Sequence, residues 1–307
     1  QYQRYQDIRI AVDIIQHEFS GHKFTILDVG GFPTSQKFLS PYQVVIANTE
    51  AETGITPQCD GTQLPFQDNS FDIVITADTL EHIAETERKA FIDELLRVSN
   101  LFTIITAPFS NGYNEFSETV LNDFLIKFLD LHHRFLIEHL QNGLPDLERC
   151  LQWISKTSKN YINVPSGYIH HWLPLMILRH YFNRSPNGPG ISADLERFYN
   201  YHCYWSDHRL PSYRQFIVVA KKEHTQVLAK IENTFAASDE ASPPDLNGVV
   251  AMWQALNGTQ ILEERANEIQ KLRQEVEALR ELVTGYQSGR FIRLMTAVHQ
   301  IIGIIKK

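Results

Sequence analysis

The chain has 307 residues, 43% of them hydrophobic, and a formal net charge of -8 at neutral pH. That length is generous for one domain and predicts a catalytic domain of ordinary size with an appendage. The acidic balance argues against nucleic acid as the main partner, because phosphate contacts need a basic face. Cys59, Cys150 and Cys203 stand far apart without metal-ligand spacing and read as reduced thiols. No run reaches the ~18–20 apolar residues of a membrane span.

Residues 3–19 set Ile8, Ile10, Val12, Ile14 and Ile15 among polar side chains, which predicts a helix before the first strand. Short apolar runs then alternate with turns bearing Gly, Asp or Asn. They predict strand 24–29, a short helix at 33–39, strand 43–48, a brief strand near 55–59 and a fourth strand at 71–77. Continuous Val/Ile/Leu runs are what a parallel strand covered on both faces requires. Residues 85–98 have helical apolar spacing with acid near the start, where the helix dipole favours it. Strand 101–107 ends at Pro108.

From 110 to 212 the pattern turns aromatic- and His-rich. Helices are expected at 116–140, 145–159 and 169–183, with a strand at 161–165 and a closing strand at 213–220. About a hundred residues between two sheet strands exceed what a connection needs, and long insertions usually carry function. The main domain therefore covers 1–222, with a cap insertion at about 110–212.

Residues 223–258 read as a helix and linker, with Ser, Pro, Asp and Gly concentrated at 236–248. Over 259–287 a heptad pattern puts Leu262, Ile269, Val276 and Val283 at a, and Arg265, Leu272, Leu279 and Tyr286 at d. Branched a residues with Leu at d predict a parallel coiled coil and hence a homodimer, with Glu268 facing the partner's Arg273 and Glu275 facing the partner's Arg280. The alternative is an amphipathic helix packing back on the domain. Residues 288–307 are basic, amphipathic and free of acid. Such a tail either lies on an anionic membrane surface or continues the oligomer packing.

Asp28-Val-Gly30-Gly31 follows the first strand. Glycine there lets the backbone approach a ligand, and the next helix presents free N–H groups. Asn48 ends the second strand where dinucleotide folds place a ribose-binding side chain, but the three spaced glycines and the acid of those folds are missing. Further along the chain runs Asp60-Gly61-Thr-Gln-Leu64-Pro65-Phe66-Gln-Asp68-Asn69-Ser70-Phe71-Asp72, then Asp78-Thr-Leu80-Glu81-His82. This block resembles the class I S-adenosylmethionine-dependent methyltransferases, in the branch with an LPF…SFD…LEH signature. The resemblance covers 24–109 and extends to the strand at 213–220.

It implies a Rossmann-like, mostly parallel α/β sheet with the helical cap inserted after the fifth strand and the coiled coil behind, and S-adenosylmethionine as cofactor. Asp28, Gly30 and Gly31 would surround the methionine portion, Asn48 the ribose, Asp60 and Gly61 the adenine edge, and Ala77 and Asp78 the sulfonium side. Phe32 and Thr34 stand where the family's turn has glycine. Asn48 replaces the usual acid, for which Glu50 could substitute by a small shift.

A second set of residues resembles methyltransferases associated with bacterial cell-surface glycan synthesis. It comprises the Asp-Val-Gly-Gly turn, Phe135-Leu-Ile-Glu138-His139 with Gly143-Leu144-Pro145, and Gly289-Arg-Phe-Ile-Arg293 after the coil. That implies O-methylation of a glycan or glycan-lipid intermediate of envelope polysaccharide synthesis, in a cytoplasmic protein peripheral to the inner membrane. The first signature equally permits a quinone-type or other apolar acceptor. A non-catalytic scaffold dimerised by its coil is the third reading.

Methyl transfer is an in-line displacement, so the protein mainly holds the acceptor atom in line, and a hydroxyl acceptor also needs a base. His82 follows the fourth strand at the cofactor edge, and His139 stands beside Glu138; both are candidate bases. His132-His133 and His170-His171 invite a metal reading. Adjacent helical His diverge, however, and His132 and His133 have no i+4 ligand, so no metal is expected. Asp72 and Glu81 are expected to hold backbone. Tyr113, Phe116, Trp153, Tyr161, Tyr168 and Trp172 would build lid and core, some stacking on a sugar or apolar acceptor.

Overall fold

In the computed structural model, which describes residues 2–50, 52–184, 188–236, 265–285 and 289–305, the apolar runs become six strands. They are β1 (Ile26–Val29), β2 (Val44–Ala47), β3 (Phe71–Ala77), β4 (Ser99–Pro108), β5 (Tyr161–Tyr168) and β6 (Ser212–Ala220). Helices α1 (Tyr2–Glu18), α2 (Ser35–Phe38) and α3 (Arg88–Val98) accompany the first four strands. Helices α4 (Gly112–Leu129), α5 (Arg134–Asn142), α6 (Leu147–Thr157), α7 (Ile169–Asn183) and α8 (Gly188–His202) lie between β4 and β6. After the sheet come α9 (Thr225–Phe235), α10 (265–285) and α11 (Arg290–Ile305).

The strand order is β2-β1-β3-β4-β6-β5. The first four of these are mutually parallel, and β6 is antiparallel to both of its neighbours. Successive strand residues point to opposite faces. Ile73, Ile75, Phe102, Ile104, Phe216 and Val218 therefore pack with α1 and α9, while Val74, Ile105, Ile217 and Val219 pack with α3 and α6. Both faces are covered, which is why the strands read as unbroken apolar runs. The expected Rossmann-like sheet with an inserted cap is present.

Three elements differ from expectation. The strand near 55–59 reduces to a single parallel bridge between Asn48 and Gln58. Thr56 and Cys59 still donate to Ile46 O and Asn48 O, but Pro57 has no N–H to continue a ladder. The helix expected over 116–140 is two helices, because Asp130 ends α4 in the left-handed region at φ 47°, a conformation that Asp tolerates. Helix α8 was not anticipated, since its Gly188-Pro189-Gly190 start reads as a turn.

Residues 265–285 are helical and leave Ile269, Leu272, Val276, Leu279 and Val283 exposed along one stripe. The heptad residues Leu262 and Tyr286, and the linker beyond Ala236, lie outside the described residues. Among the described residues no helix is long and apolar enough to cross a membrane.

Helix α1 is fixed by a buried polar network. Asp7 accepts from Ser166 Oγ and Tyr204 OH, each at 2.6 Å, and lies 3.0 Å from His208 Nε2. Asp207 accepts from Gln3 Nε2 at 2.6 Å and lies 2.7 Å from His171 Nδ1. Burial lowers the His208 pKa, but the Asp7 and Asp207 carboxylates outweigh it and the net direction is upward. A raised folded-state value adds stability below the unfolded value of about 6.5 and loses it as pH climbs through the folded value. Urea unfolding should therefore show stability falling as pH rises above about 6.5, with His208→Gln flattening that dependence. Asp7→Ala should cost about 3 kcal/mol or more, because it strands three buried partners.

Candidate active site

The carboxyl ends of β1, β2 and β3 open onto one cavity of about 820 Å³, a size that holds a cofactor together with an acceptor. Gly30, Asn48, Asp60, Gly61, Ala77 and Asp78 all line it, so the sheet gathers most of the expected cofactor residues. Gly30 turns at φ 81°, and a Cβ there would lie 2.3 Å from Thr79 Oγ1. Gly61 passes over α3, where a Cβ would lie 2.4 Å from the Phe91 ring. At both positions a side chain would collide with its neighbours, so only glycine fits these turns at the cavity edge. Asp60 Oδ1 accepts from Thr62 N and Thr62 Oγ1, both at 2.8 Å, which fixes its carboxylate at the rim.

Two expected residues are set back from the cavity. Asp28 is fully buried beneath the turn, where Tyr5 OH donates to it at 3.2 Å. Burial pushes its carboxyl up to about 6, against the pull of Ser35, Tyr5 and Arg4. Gly31 sits directly over that carboxylate, since a Cβ would lie 2.0 Å from Asp28 Oδ2. Both shape the turn from below. Asn48 lines the cavity, but its Nδ2 donates to Gly31 O at 2.9 Å and its Oδ1 accepts from Glu50 N at 3.1 Å. It braces the glycine turn and leaves Glu50, on the same rim, as the adjacent acid.

Asp78 follows β3 in the left-handed region at φ 50°. Its carboxylate is clasped by Arg214, with Nε–Oδ1 and Nη2–Oδ2 both 2.6 Å, and by Arg4 from α1. Burial alone would raise its pKa, but the two guanidinium groups hold it well below the usual carboxylate range. Arg4, Tyr5 and Arg214 all line the cavity and were missed in the sequence. The two arginines lie 74 and 136 positions away from Asp78, beyond any local pattern.

Both candidate bases also line the cavity. Asn111 caps α4, and Asn114 bridges Phe109 O and Tyr213 O at 2.8 Å, which seats α4 against β6. Glu118 on α4 then accepts from Tyr213 OH at 2.7 Å and lies 2.8 Å from His139 Nδ1. The end of α5 is tied to the Leu80–His82 turn, since Asn142 Nδ2 donates to His82 O at 3.0 Å and Arg88 donates to Ile83 O, Asn142 O and Gly143 O. The two imidazoles therefore meet, with ring centroids 4.8 Å apart.

His82 Nδ1 lies 2.9 Å from Glu138 Oε2. Burial and His139 pull the His82 imidazole below its ordinary pKa, with Glu138 opposing. Asp72 holds Thr25 N and Oγ1 as expected. Glu81 is 1% exposed and lines the cavity; its carboxyl is bonded by its own backbone, while its Oε2 has no partner. The adjacent pairs His132-His133 and His170-His171 assemble no ligand set among the described residues.

Residues 39–100 match the family model described as a methyltransferase domain. No curated protein sequence matches the chain. Among solved structures, the YcgJ protein from Bacillus subtilis is 14% identical over 70% of this chain and 99% of its own, with a TM-score of 0.38. The plantazolicin methyltransferase BpumL, solved with S-adenosylhomocysteine, is 11% identical over 72% and 84%, with a TM-score of 0.43. A phosphoethanolamine N-methyltransferase from Haemonchus contortus, also solved with S-adenosylhomocysteine, is 17% identical over 70% and 53%, with a TM-score of 0.42.

Gly30→Ala should lower the melting temperature by several degrees, equivalent to about 2 kcal/mol, because it adds both a clash with Thr79 and left-handed strain. Gly112→Ala, where a Cβ meets open space, should leave the melting temperature unchanged in the same thermal-shift measurement.

Proposed function

We propose that this S-adenosylmethionine-dependent methyltransferase O-methylates a glycan or glycan-lipid intermediate of envelope polysaccharide synthesis. The observation that carries the reading is the convergence in one cavity of Gly30 and Asp78, at the ends of two parallel strands, and Asp60, in a loop beside them, with His82 and His139. The glycine turn at Gly30, the fixed Asp60 rim and the adjacent Glu50 fit an adenosyl group with its ribose and amino-acid tail. When bound, S-adenosylmethionine supplies a methyl group already activated on a sulfonium.

The chain's own residues position and activate the acceptor. Ala77 and Asp78 border the donor side, and the carboxylate-backed imidazoles of His82 and His139 make the acceptor hydroxyl nucleophilic. Beyond them, Arg179, Asn183, Tyr199 and Asn200 line the cavity. These hydrogen-bonding side chains suit sugar hydroxyls, and Trp172, Leu175 and Met176 in the same lining offer apolar surface for a sugar ring face or lipid portion. At the C-terminal end, the exposed stripe Ile269, Leu272, Val276, Leu279 and Val283 supports a homodimeric coil. The exposed Ile292, Leu294, Met295 and Val298 on the acid-free α11 support contact with the cytoplasmic membrane face.

Calorimetry should detect S-adenosylmethionine binding, weakened about tenfold by Asp60→Ala, a loss of about 1.4 kcal/mol. Unchanged affinity would remove Asp60 from the adenine edge. His82→Gln should lower turnover by about two orders of magnitude or more while leaving cofactor affinity intact. Label from the methyl donor should enter a lipid-linked glycan fraction, and entry into the quinone fraction would overturn the acceptor class. A chain ending at Ser238 should sediment as a monomer where the full chain is a dimer. Removing 288–307 should abolish flotation with anionic liposomes, and equal flotation would eliminate membrane contact.

A further inference from the structure

We propose that Glu81, His82 and His139 form a binding site for a divalent transition-metal ion on the acceptor side of the cavity. The inference rests on the acceptor-side reading above and specifies how that side works. One ligand atom from each residue lies within 4.8 Å of the other two. His82 Nε2 and Glu81 Oε1 are 4.0 Å apart. A tetrahedral ion with bonds of about 2.0–2.2 Å to nitrogen and oxygen holds its ligand atoms about 3.4 Å apart, so the three side chains would close in by up to about 1.4 Å on binding.

Three further observations point to a cation. First, Glu81 and His139 are 1% and 6% exposed, yet Glu81 Oε2 and His139 Nε2 have no hydrogen-bond partner. Buried polar atoms are almost always satisfied, and a shared ion would satisfy both at once. Second, His139 Nδ1 is hydrogen-bonded to Glu118 at 2.8 Å, while His82 Nδ1 lies 2.9 Å from Glu138 Oε2 without forming a hydrogen bond, one more buried atom of the cluster left unsatisfied. Metal-bound histidines are oriented by support of the kind Glu118 gives His139. Third, Glu81, His82 and His139 all line the cavity, so a fourth coordination position would face the acceptor. Three protein ligands with one open position is the arrangement of a reactive site, whereas structural sites are closed.

Two nitrogens and one carboxylate select a zinc-, cobalt- or manganese-like ion over calcium or magnesium. A hydroxyl bound at the open position has its pKa lowered by the ion, which supplies the activation assigned above to the imidazole cluster. The expectation of no metal considered only the adjacent His pairs, whereas the three ligands come from the β3 turn and α5, which the cap brings together.

The test is calorimetric titration of chelator-stripped full-length protein with Zn²⁺, and separately with Co²⁺ while recording its visible d–d bands. The expected result is one ion per chain with a low-coordinate Co²⁺ spectrum. Glu81→Gln and His82→Gln should each remove that ion, and Glu118→Gln should weaken it by about 10–100-fold. S-Adenosylhomocysteine binding, measured on the same samples, reports that each variant is folded and tests the cofactor reading separately. Absence of Zn²⁺ binding in protein that binds S-adenosylhomocysteine would overturn the metal site and spare the methyltransferase reading. Zn²⁺ binding unaffected by both ligand substitutions would overturn it equally. If neither substitution yields folded protein, the Co²⁺ spectrum of the unmodified chain decides, and an octahedral aquo-like spectrum would refute the site.

Discussion

Everything around the cavity depends on the ionised carboxylate of Asp78. It stands at the tip of a central strand in a left-handed backbone conformation, mostly buried at the cavity wall and gripped by guanidinium groups from the first helix and the last strand. Loss of the carboxylate would leave two neighbouring guanidinium groups without their counter-charge, and an unpaired buried charge is strongly destabilising. The clasp therefore makes the N-terminal helix a wall of the cavity, although its sequence resembles that of any amphipathic helix. The Asp7 network holds the same helix about one turn further along, against β5 and the Tyr204–Asp207 turn.

The cavity is lined by different parts of the chain. The strand ends and their glycine turns contribute Gly30, Asn48 and Asp78, and the cap contributes residues of α5, α7 and α8. Their junction is the short Leu80–His82 turn, where the core strand ends and to which α5 is bonded through Asn142. This explains why two imidazoles separated by 57 positions share one spot. It also explains why both are backed by carboxylates of the cap, Glu138 and Glu118.

Much of this was legible before any coordinates. Apolar runs at Ile26–Val29, Phe71–Ala77 and Ser212–Ala220 report burial on both faces, a local property that a window of residues records. Gly30, Gly61 and Asp78 sit at turns whose small or polar residues punctuate those runs, so their place in the cavity lining was readable as well. What stayed hidden is non-local. Asn48 has the spacing of a ribose ligand, but its amide is consumed by Gly31 O, a contact no pattern announces. Glu81 looked like a backbone clamp because clamping is the commonest task of an acid after a strand. Its real environment depends on α5, whose start is set by the left-handed Asp130. Helix α8 was obscured because glycine and proline at a helix start resemble those of a turn.

The two rims of the sheet carry a consequence for self-association. At one rim β2 is only four residues long, and at the other β5 contains Pro165 and Gly167. A short strand offers little template, and proline withholds a donor that an incoming strand would need. Edge-to-edge stacking of copies into extended ribbons is thereby disfavoured at both ends. The chain can present long exposed helices at its C-terminal end without inviting fibrous aggregation through its sheet.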